Sequence, residues 1–224
     1  MRTYVSTLGF HETRVTRPVI KHGIDAGDRV VLVRPASEGR SDRAEDAIGY
    51  VEDMIGEVEP DASVTTEQVE PSDFTAGILE CADVLDAVDR DRTLIVNFGG
   101  GAREVLLPLL LATVLHARNV DRAFQYTDVD QDVRTIEIPD LTAQIPTSAV
   151  ETFDLIARLD GDVTLPELAA ESDRSKSTVG RHVDSLAESG VVETRLEDNV
   201  KYISLSQTGH LVTRAGAGYE PSET

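Results

Sequence analysis

Residues 97 to 103 read "NFGGGAR", between the apolar run "TLIV" and the segment "EVLLPLLLATVLHAR". Three consecutive glycines at a strand-to-helix turn are costly unless the bare backbone is used. Such a turn aims Gly99, Gly100 and Gly101 N–H groups at the space above a sheet. With the N-terminus of the following helix they form an anion site. Arg103 can add a bidentate phosphate contact. Asn97, at the strand end, can hydrogen-bond a base edge, a ribose or the opposite loop. The spacing excludes two common uses. A dinucleotide fingerprint would put its third glycine at Glu104, and the Lys-Ser/Thr pair of a P-loop is missing. The glycines could also serve only close helix–strand packing, for which one usually suffices.

A second set of reactive groups lies in "SDRSKSTVGRHVDSL" (172–186). A helix starting at Ser175 and running to about Glu188 turns Val179, Val183 and Leu186 inward. It presents Ser175, Lys176, Ser177, Thr178, Arg181 and His182, with Arg174 just before it. Hydroxyls and cations are what phosphates and base edges require. Arg195 and Lys201 fall on the two arms of a following hairpin. The chain has only three lysines (Lys21, Lys176 and Lys201), and two are here. Asp173, Asp184 and Glu188 lie close to the same face and oppose a polyanion. Arg181 is the stronger candidate base reader; His182 alone is more often a surface residue. A module of this kind could also dock protein or dimerise.

The elements that must position these groups follow from periodicity. "RTYVST" (2–7), "RVVLVRP" (29–35), "ASVTTEQV" (62–69) and "TLIVNF" (93–98) read as strands. Helices are expected within 13–22, where Pro18 limits regular hydrogen bonding, at 41–58 with Ser41 as cap, at 71–88 and at 102–118. "AFQYTDVD" and "VRTIEIPDL" form a hairpin turning near Asp130–Asp132. This βα alternation predicts a Rossmann-like, mostly parallel sheet with helices on both faces and an antiparallel hairpin at one edge. Ligands of such sheets sit beyond the carboxyl ends of the strands. Two ends stand out: "STLGF" (6–10) and "NFGGGAR".

The pattern changes at 139–147, where two prolines and polar residues read as a linker. A helix at 148–161 stops at Gly161. Thr164 and Glu167 form a capping box for a short helix. "VVETRL" and "KYISLS" pair across "EDN". Helix, short helix, turn, helix and hairpin make a winged helix-turn-helix over 148–215. Such a helix fits the major groove and the wing reaches flanking backbone. Residues 216–224 read as a flexible tail.

Composition bounds the rest. Among 224 residues, 41 Asp+Glu face 21 Lys+Arg, a net charge of −20. With 40% hydrophobic residues and periodic segments, this acidity fits a folded protein built for strong salt, or else an ordinary acidic mesophilic protein. It resembles proteins of halophilic archaea. Acidity therefore does not exclude nucleic acid as a partner. The single cysteine, Cys81, excludes an internal disulfide and a cysteine zinc site, and its apolar setting predicts a buried thiol. The first residues do not form a signal peptide. "VLLPLLLATVL" (105–115) is too short to span a bilayer, so a cytoplasmic location without membrane partners is expected. That run is too apolar for a one-sided surface helix. It packs between the sheet and either a dimer partner or further core.

"STLGF" after the first strand, "NFGGGAREV" after a later one and a C-terminal winged helix resemble the CRISPR-associated Rossmann fold (CARF) regulators. The resemblance covers nearly the whole chain. It implies a homodimer in which equivalent loops meet across a two-fold axis, holding a cyclic oligoadenylate, typically the tetramer, with no cofactor or metal. By position, Thr7, Gly9, Phe10, Asn97, Gly99, Gly100, Gly101 and Arg103 would bind it. Phe10 would stack on adenine or serve as a core-rim aromatic. The family often places a hydroxyl and a basic residue where this chain has Gly101 and Ala102, followed by Arg103. His11 and Glu12 adjoin the first loop; His11 reads as an ordinary loop histidine. The implied function is ligand-responsive transcriptional regulation of CRISPR genes. The alternatives are a metal-independent ring nuclease that cleaves the messenger, and a constitutive regulator with a non-functional pocket.

Overall fold

The computed structural model describes residues 1–36, 42–70, 72–127 and 129–215. The expected cap Ser41 and the tail 216–224 lie outside the described residues. The chain divides into two compact units between Ile138 and Pro139.

The first unit runs β1 (Arg2–Thr7), α1 (Thr13–His22), β2 (Arg29–Pro35), α2 (Asp42–Val58), β3 (Ser63–Val69), α3 (Phe74–Asp86), β4 (Thr93–Phe98), α4 (Arg103–Leu115), β5 (Arg122–Tyr126) and β6 (Val133–Ile136). The strands form one sheet in the order β3-β2-β1-β4-β5-β6. All neighbours are parallel except the β5–β6 hairpin. β1 shows why the central strands β1, β2 and β4 are buried along their length rather than at alternate residues. Tyr4 and Leu8 pack with Val15, Val19, Val51 and Ile55 on the α1–α2 side. Val5 packs with Cys81, Leu85, Val105 and Leu109 on the α3–α4 side. Both faces are covered, so both must be apolar. Cys81 is buried as expected, and burial pushes its thiol up to about 12.

The order of strands reverses between β1 and β4. From β1 the chain crosses outward to β2 and β3; β4 returns to the other side of β1 and the chain proceeds to β5. The loops after β1 and β4 therefore open side by side at the carboxyl edge, the place such sheets offer a ligand.

The second unit contains α5 (Val150–Leu159), β7 (Val163–Thr164), α6 (Leu165–Ala170), α7 (Lys176–Glu188), β8 (Val192–Glu197), β9 (Val200–Leu205) and α8 (Gln207–Ala215). Its small antiparallel sheet has the order β7-β9-β8. Thr164 and Glu167 complete the capping box of α6, and Ser175 caps α7 by accepting from the Thr178 N–H. Asp198 and Asn199 take left-handed φ values of 49° and 63° between the paired Glu197 and Val200. Two such residues make the primed turn that matches strand twist.

Two expectations need correction. Residues 139–147 are not a free linker. Ala143 and Ile145 are buried in the core of the second unit with Phe153, Leu168 and Ile203, and the Asp140 N–H donates to Thr208 Oγ1 at 3.0 Å. Prolines and polar residues hid two apolar anchors. The stop of α5 is Asp160, left-handed at φ 42°, rather than Gly161 alone.

Candidate ligand site and nucleic-acid interface

The loops after β1 and β4 touch through their backbones. A Cβ on Gly9 would lie 2.7 Å from Gly101 Cα, and one on Gly101 would lie 2.9 Å from the Leu8 carbonyl oxygen. Gly100 and Gly101 have φ of 116° and 104°, where side chains are strained. A Cβ on Gly99 would lie 2.8 Å from the Arg14 carbonyl oxygen. The glycines thus let two loops and the start of α1 pack at backbone distance.

Asn97 explains how that packing is secured. Pro18 sits inside α1 and has no N–H for the Arg14 carbonyl one turn back. Asn97 Nδ2 supplies a donor to that carbonyl at 3.0 Å, and donates to Ser6 Oγ at 2.7 Å. Asn97 is fully buried. The assignment of Asn97 as a direct ligand contact is therefore corrected: it ties β4, β1 and α1 together, the opposite-loop option. Thr7 is also buried, at 1% exposure. It sits beneath the site, and Thr7 Oγ1 and Asn97 Oδ1 are buried without a hydrogen-bond partner.

A cavity of about 260 Å³ opens above the paired loops, lined by Gly9, Phe10, His11, Arg14, Gly101 and Ala102. Of the sequence candidates it brings together Gly9, Phe10 and Gly101. Gly99 and Gly100 shape the turn behind it, and Arg103 is exposed at the start of α4, adjoining Ala102. Phe10 is 44% exposed, and the Arg43 guanidinium lies 5.2 Å from its ring centroid. Arg14 lines the cavity and was not among the sequence candidates. A Cβ on Gly100 would meet its Nη1 at 2.7 Å, so the guanidinium lies directly over the glycine turn.

Both helices that open here begin without a capping side chain: α1 after Glu12 and α4 after Ala102. Asp73, Thr164 and Ser175 cap α3, α6 and α7, whereas α5, away from this site, also starts without a cap. Two uncapped N-termini, a glycine turn and Arg14 converge on one cavity, which suits a polyanion. A larger cleft of about 680 Å³ lies at the opposite end of β4, near Asp89, Arg92 and Asp121. There Arg92 donates to the Arg2 and Gly27 carbonyls, and Asp121 accepts from the Leu94 N–H. These groups close the amino edge of the sheet.

In the second unit, Arg174, Ser175, Lys176, Ser177 and Arg181 are exposed and Thr178 is half-buried. Ser175 Oγ lies within 3.0 Å of Ser177 Oγ and 2.9 Å of Thr178 Oγ1. His182 corrects the sequence reading. It is 9% exposed, and its Nδ1 lies 2.8 Å from Thr152 Oγ1 of α5. It joins α5 to α7 from the inner face. Burial first, then the Arg174 and Arg181 charges, lower its pKa below the ordinary histidine value. Three expected DNA-binding cations are held by carboxylates. Arg174 pairs with Glu151 at 2.6 Å, Arg195 with Asp162 at 2.9 Å, and Lys201 with Asp184 at 2.7 Å.

The model of the Csa3 CRISPR-associated Rossmann-like domain matches residues 2–138, and that of the IclR helix-turn-helix domain matches residues 149–196. The chain is similar in structure to Enterococcus italicus Csm6 bound to cyclic hexa-2'-fluoro-hexa-dAMP. The identity is 16% and the TM-score 0.50, over 85% of this chain and 55% of that one. A protein of Archaeoglobus fulgidus shares 24% identity at a TM-score of 0.28, over 30% of this chain and 78% of that one. A Vibrio cholerae protein shares 8% at 0.42, over 94% and 63% respectively. No curated protein matches the chain. The Csm6 likeness bears on the fold alone. Among the described residues no helix is long and apolar enough to cross a membrane.

Proposed function

The chain belongs to the family of the Csa3 CRISPR-associated Rossmann-like domain, and on that premise we propose that it is a transcriptional regulator whose DNA affinity responds to a cyclic oligoadenylate. The domain composition, a CARF domain followed by a helix-turn-helix, is that of a CRISPR-associated DNA-binding regulator. The sensing step rests chiefly on one observation: two uncapped helix N-termini and Arg14 converge on the cavity at the switch point. The cyclic hexanucleotide analogue carried by the Csm6 structure belongs to the same ligand class.

The volume of one site bears on stoichiometry. About 260 Å³ is below the usual range of roughly 300–1,000 Å³ for a small-molecule pocket. A single chain would hold one segment of a ring, and a second copy related by a two-fold axis would complete it. The outer face of α4 supports such pairing. Leu107, Leu110, Leu111 and Leu115 are exposed along it, while Val105, Leu109 and Ala112 fill the core. Ligand acts through differential affinity for two dimer arrangements that differ in DNA affinity.

The test is to denature protein isolated from its native host and identify released nucleotide by mass spectrometry. A cyclic oligoadenylate in the wild type and its loss in Arg14→Ala supports the reading. Release of a different nucleotide class, or equal retention by Arg14→Ala, counts against it.

A further inference from the structure

Five cations surround the expected DNA-binding face: Arg174, Lys176, Arg181, Arg195 and Lys201. Three are already engaged by the chain's own carboxylates. Glu151 comes from the first turn of α5, Asp162 from the residue before β7, and Asp184 from α7 itself. Their partners Arg174 and Lys201 flank α7 at its start and on the wing, and Arg195 lies on the other wing strand. The Arg195 guanidinium is further held by Glu197 at 3.5 Å and lies 5.3 Å from the Tyr202 ring centroid. Among the described residues, Lys176 and Arg181 make no ion pair, and both lie on α7.

The arrangement separates two kinds of contact. Base edges are read from the groove-facing helix, whereas wing and flanking cations meet phosphate. The paired cations are the flanking ones. The unpaired ones are those placed to read sequence. Phosphate attraction supplies nearly all non-specific binding, and base contacts supply discrimination.

We propose that Glu151, Asp162 and Asp184 are specificity-determining residues that screen the flanking cations, so that DNA binding depends on the α7 side chains rather than on bulk phosphate attraction. The proposal rests on the DNA-binding reading of the second unit. All six partners are partly exposed, with side-chain exposures from 36% to 67%, so phosphate can take the place of each carboxylate. The displaced carboxylate stays nearby and cancels most of the charge gained.

The salt dependence follows. Five unscreened cations per chain would give a slope of log K against log salt of about −4.5, and two would give about −1.8. Screening predicts the lower value. Glu151→Gln and Asp184→Asn each free one cation and steepen the slope by about 0.9, and Asp162→Asn, which leaves Arg195 its longer contact with Glu197, steepens it by less.

The experiment is fluorescence anisotropy with two labelled duplexes across a salt series: the upstream region of the adjoining CRISPR genes and a mixed-sequence duplex of equal length. Glu52→Gln, Asp53→Asn and Glu57→Gln combined on the exposed face of α2 of the first unit serve as the control for an equal change in net charge. In the triple variant the expected result is a mixed-sequence affinity raised at least tenfold at low salt, a steeper slope and a lower ratio of specific to mixed-sequence affinity. The control keeps wild-type values. If the wild type binds DNA but the triple variant matches it in slope and ratio, or the α2 control of equal charge tightens binding equally, the screening proposal is overturned and DNA binding stands. If neither wild type nor triple variant binds either duplex, the DNA-binding reading itself falls, and screening with it.

Discussion

Removing the Asn97 side chain tests the account of how the ligand loops are built. Asn97→Ala deletes donors to Ser6 Oγ and to the Arg14 carbonyl. Ser6 Oγ keeps its own bond to the Thr7 carbonyl, so the Arg14 carbonyl is the main group left without its partner. Two lost hydrogen bonds cost about 1 kcal/mol each, and an orphaned buried acceptor adds about 1–3 kcal/mol. Deleting the unpartnered Asn97 Oδ1 returns about 1 kcal/mol. The net loss is about 2–4 kcal/mol. The cause is specific, because Pro18 denies the Arg14 carbonyl its helical donor. Pro18→Ala restores that donor, so in the double variant the cost of Asn97→Ala should fall by about 1–2 kcal/mol. Hydrogen exchange of the β1 and β4 amides is the suitable assay, since the two units need not unfold together. Additive costs, with a coupling below about 0.5 kcal/mol, would refute the argument that Asn97 replaces the bond Pro18 cannot make.

Gly101→Ala should destabilise the first unit by about 1–3 kcal/mol or more, because its φ of 104° is strained for a side chain and the Cβ would meet the Leu8 carbonyl; urea unfolding followed by circular dichroism measures it. His182 has a lowered folded-state pKa, so the unfolded chain binds its proton more readily. The winged-helix unit is then fully stabilised above the ordinary histidine value of about 6.5 and loses stability as pH falls from there through the lower folded value. Thermal melts from pH 7.5 to 5 should show this decline, and His182→Gln should flatten it. Leu107→Glu with Leu111→Glu should yield monomers by sedimentation while β1 and β4 keep their protection. Arg181→Ala should weaken specific DNA binding by about 1–3 kcal/mol in the anisotropy assay.

Much of the architecture was legible because strand and helix periods were clean. Continuous apolar strands announced a sheet covered on both faces, and the capping residues Thr164 and Ser175 marked helix starts. The glycine loop was legible as a site, but its inner logic was not. Asn97 and Gly99 act on the Arg14 carbonyl more than eighty residues earlier in the chain, a contact set by tertiary packing. Arg14 escaped notice because a lone arginine in an early helical turn carries no local signature. His182 lies at the edge of the inward face of α7, three residues after Val179 and four before Leu186, but its polar type suggested exposure; α5 covers that flank and Thr152 meets its ring. The segment 139–147 resembled a linker because two anchoring residues, Ala143 and Ile145, are too few to show a period.

The central claim is that one chain couples a nucleotide site to DNA affinity. The direct measurement is the affinity of the full chain for the upstream region of its adjoining CRISPR genes, with and without saturating cyclic tetra-adenylate. The account predicts a change in affinity of fivefold or more, within the usual coupling range of about 1–3 kcal/mol, that disappears in Arg14→Ala. Identical affinity with and without the nucleotide, across cyclic tetra- and hexa-adenylate, would contradict it.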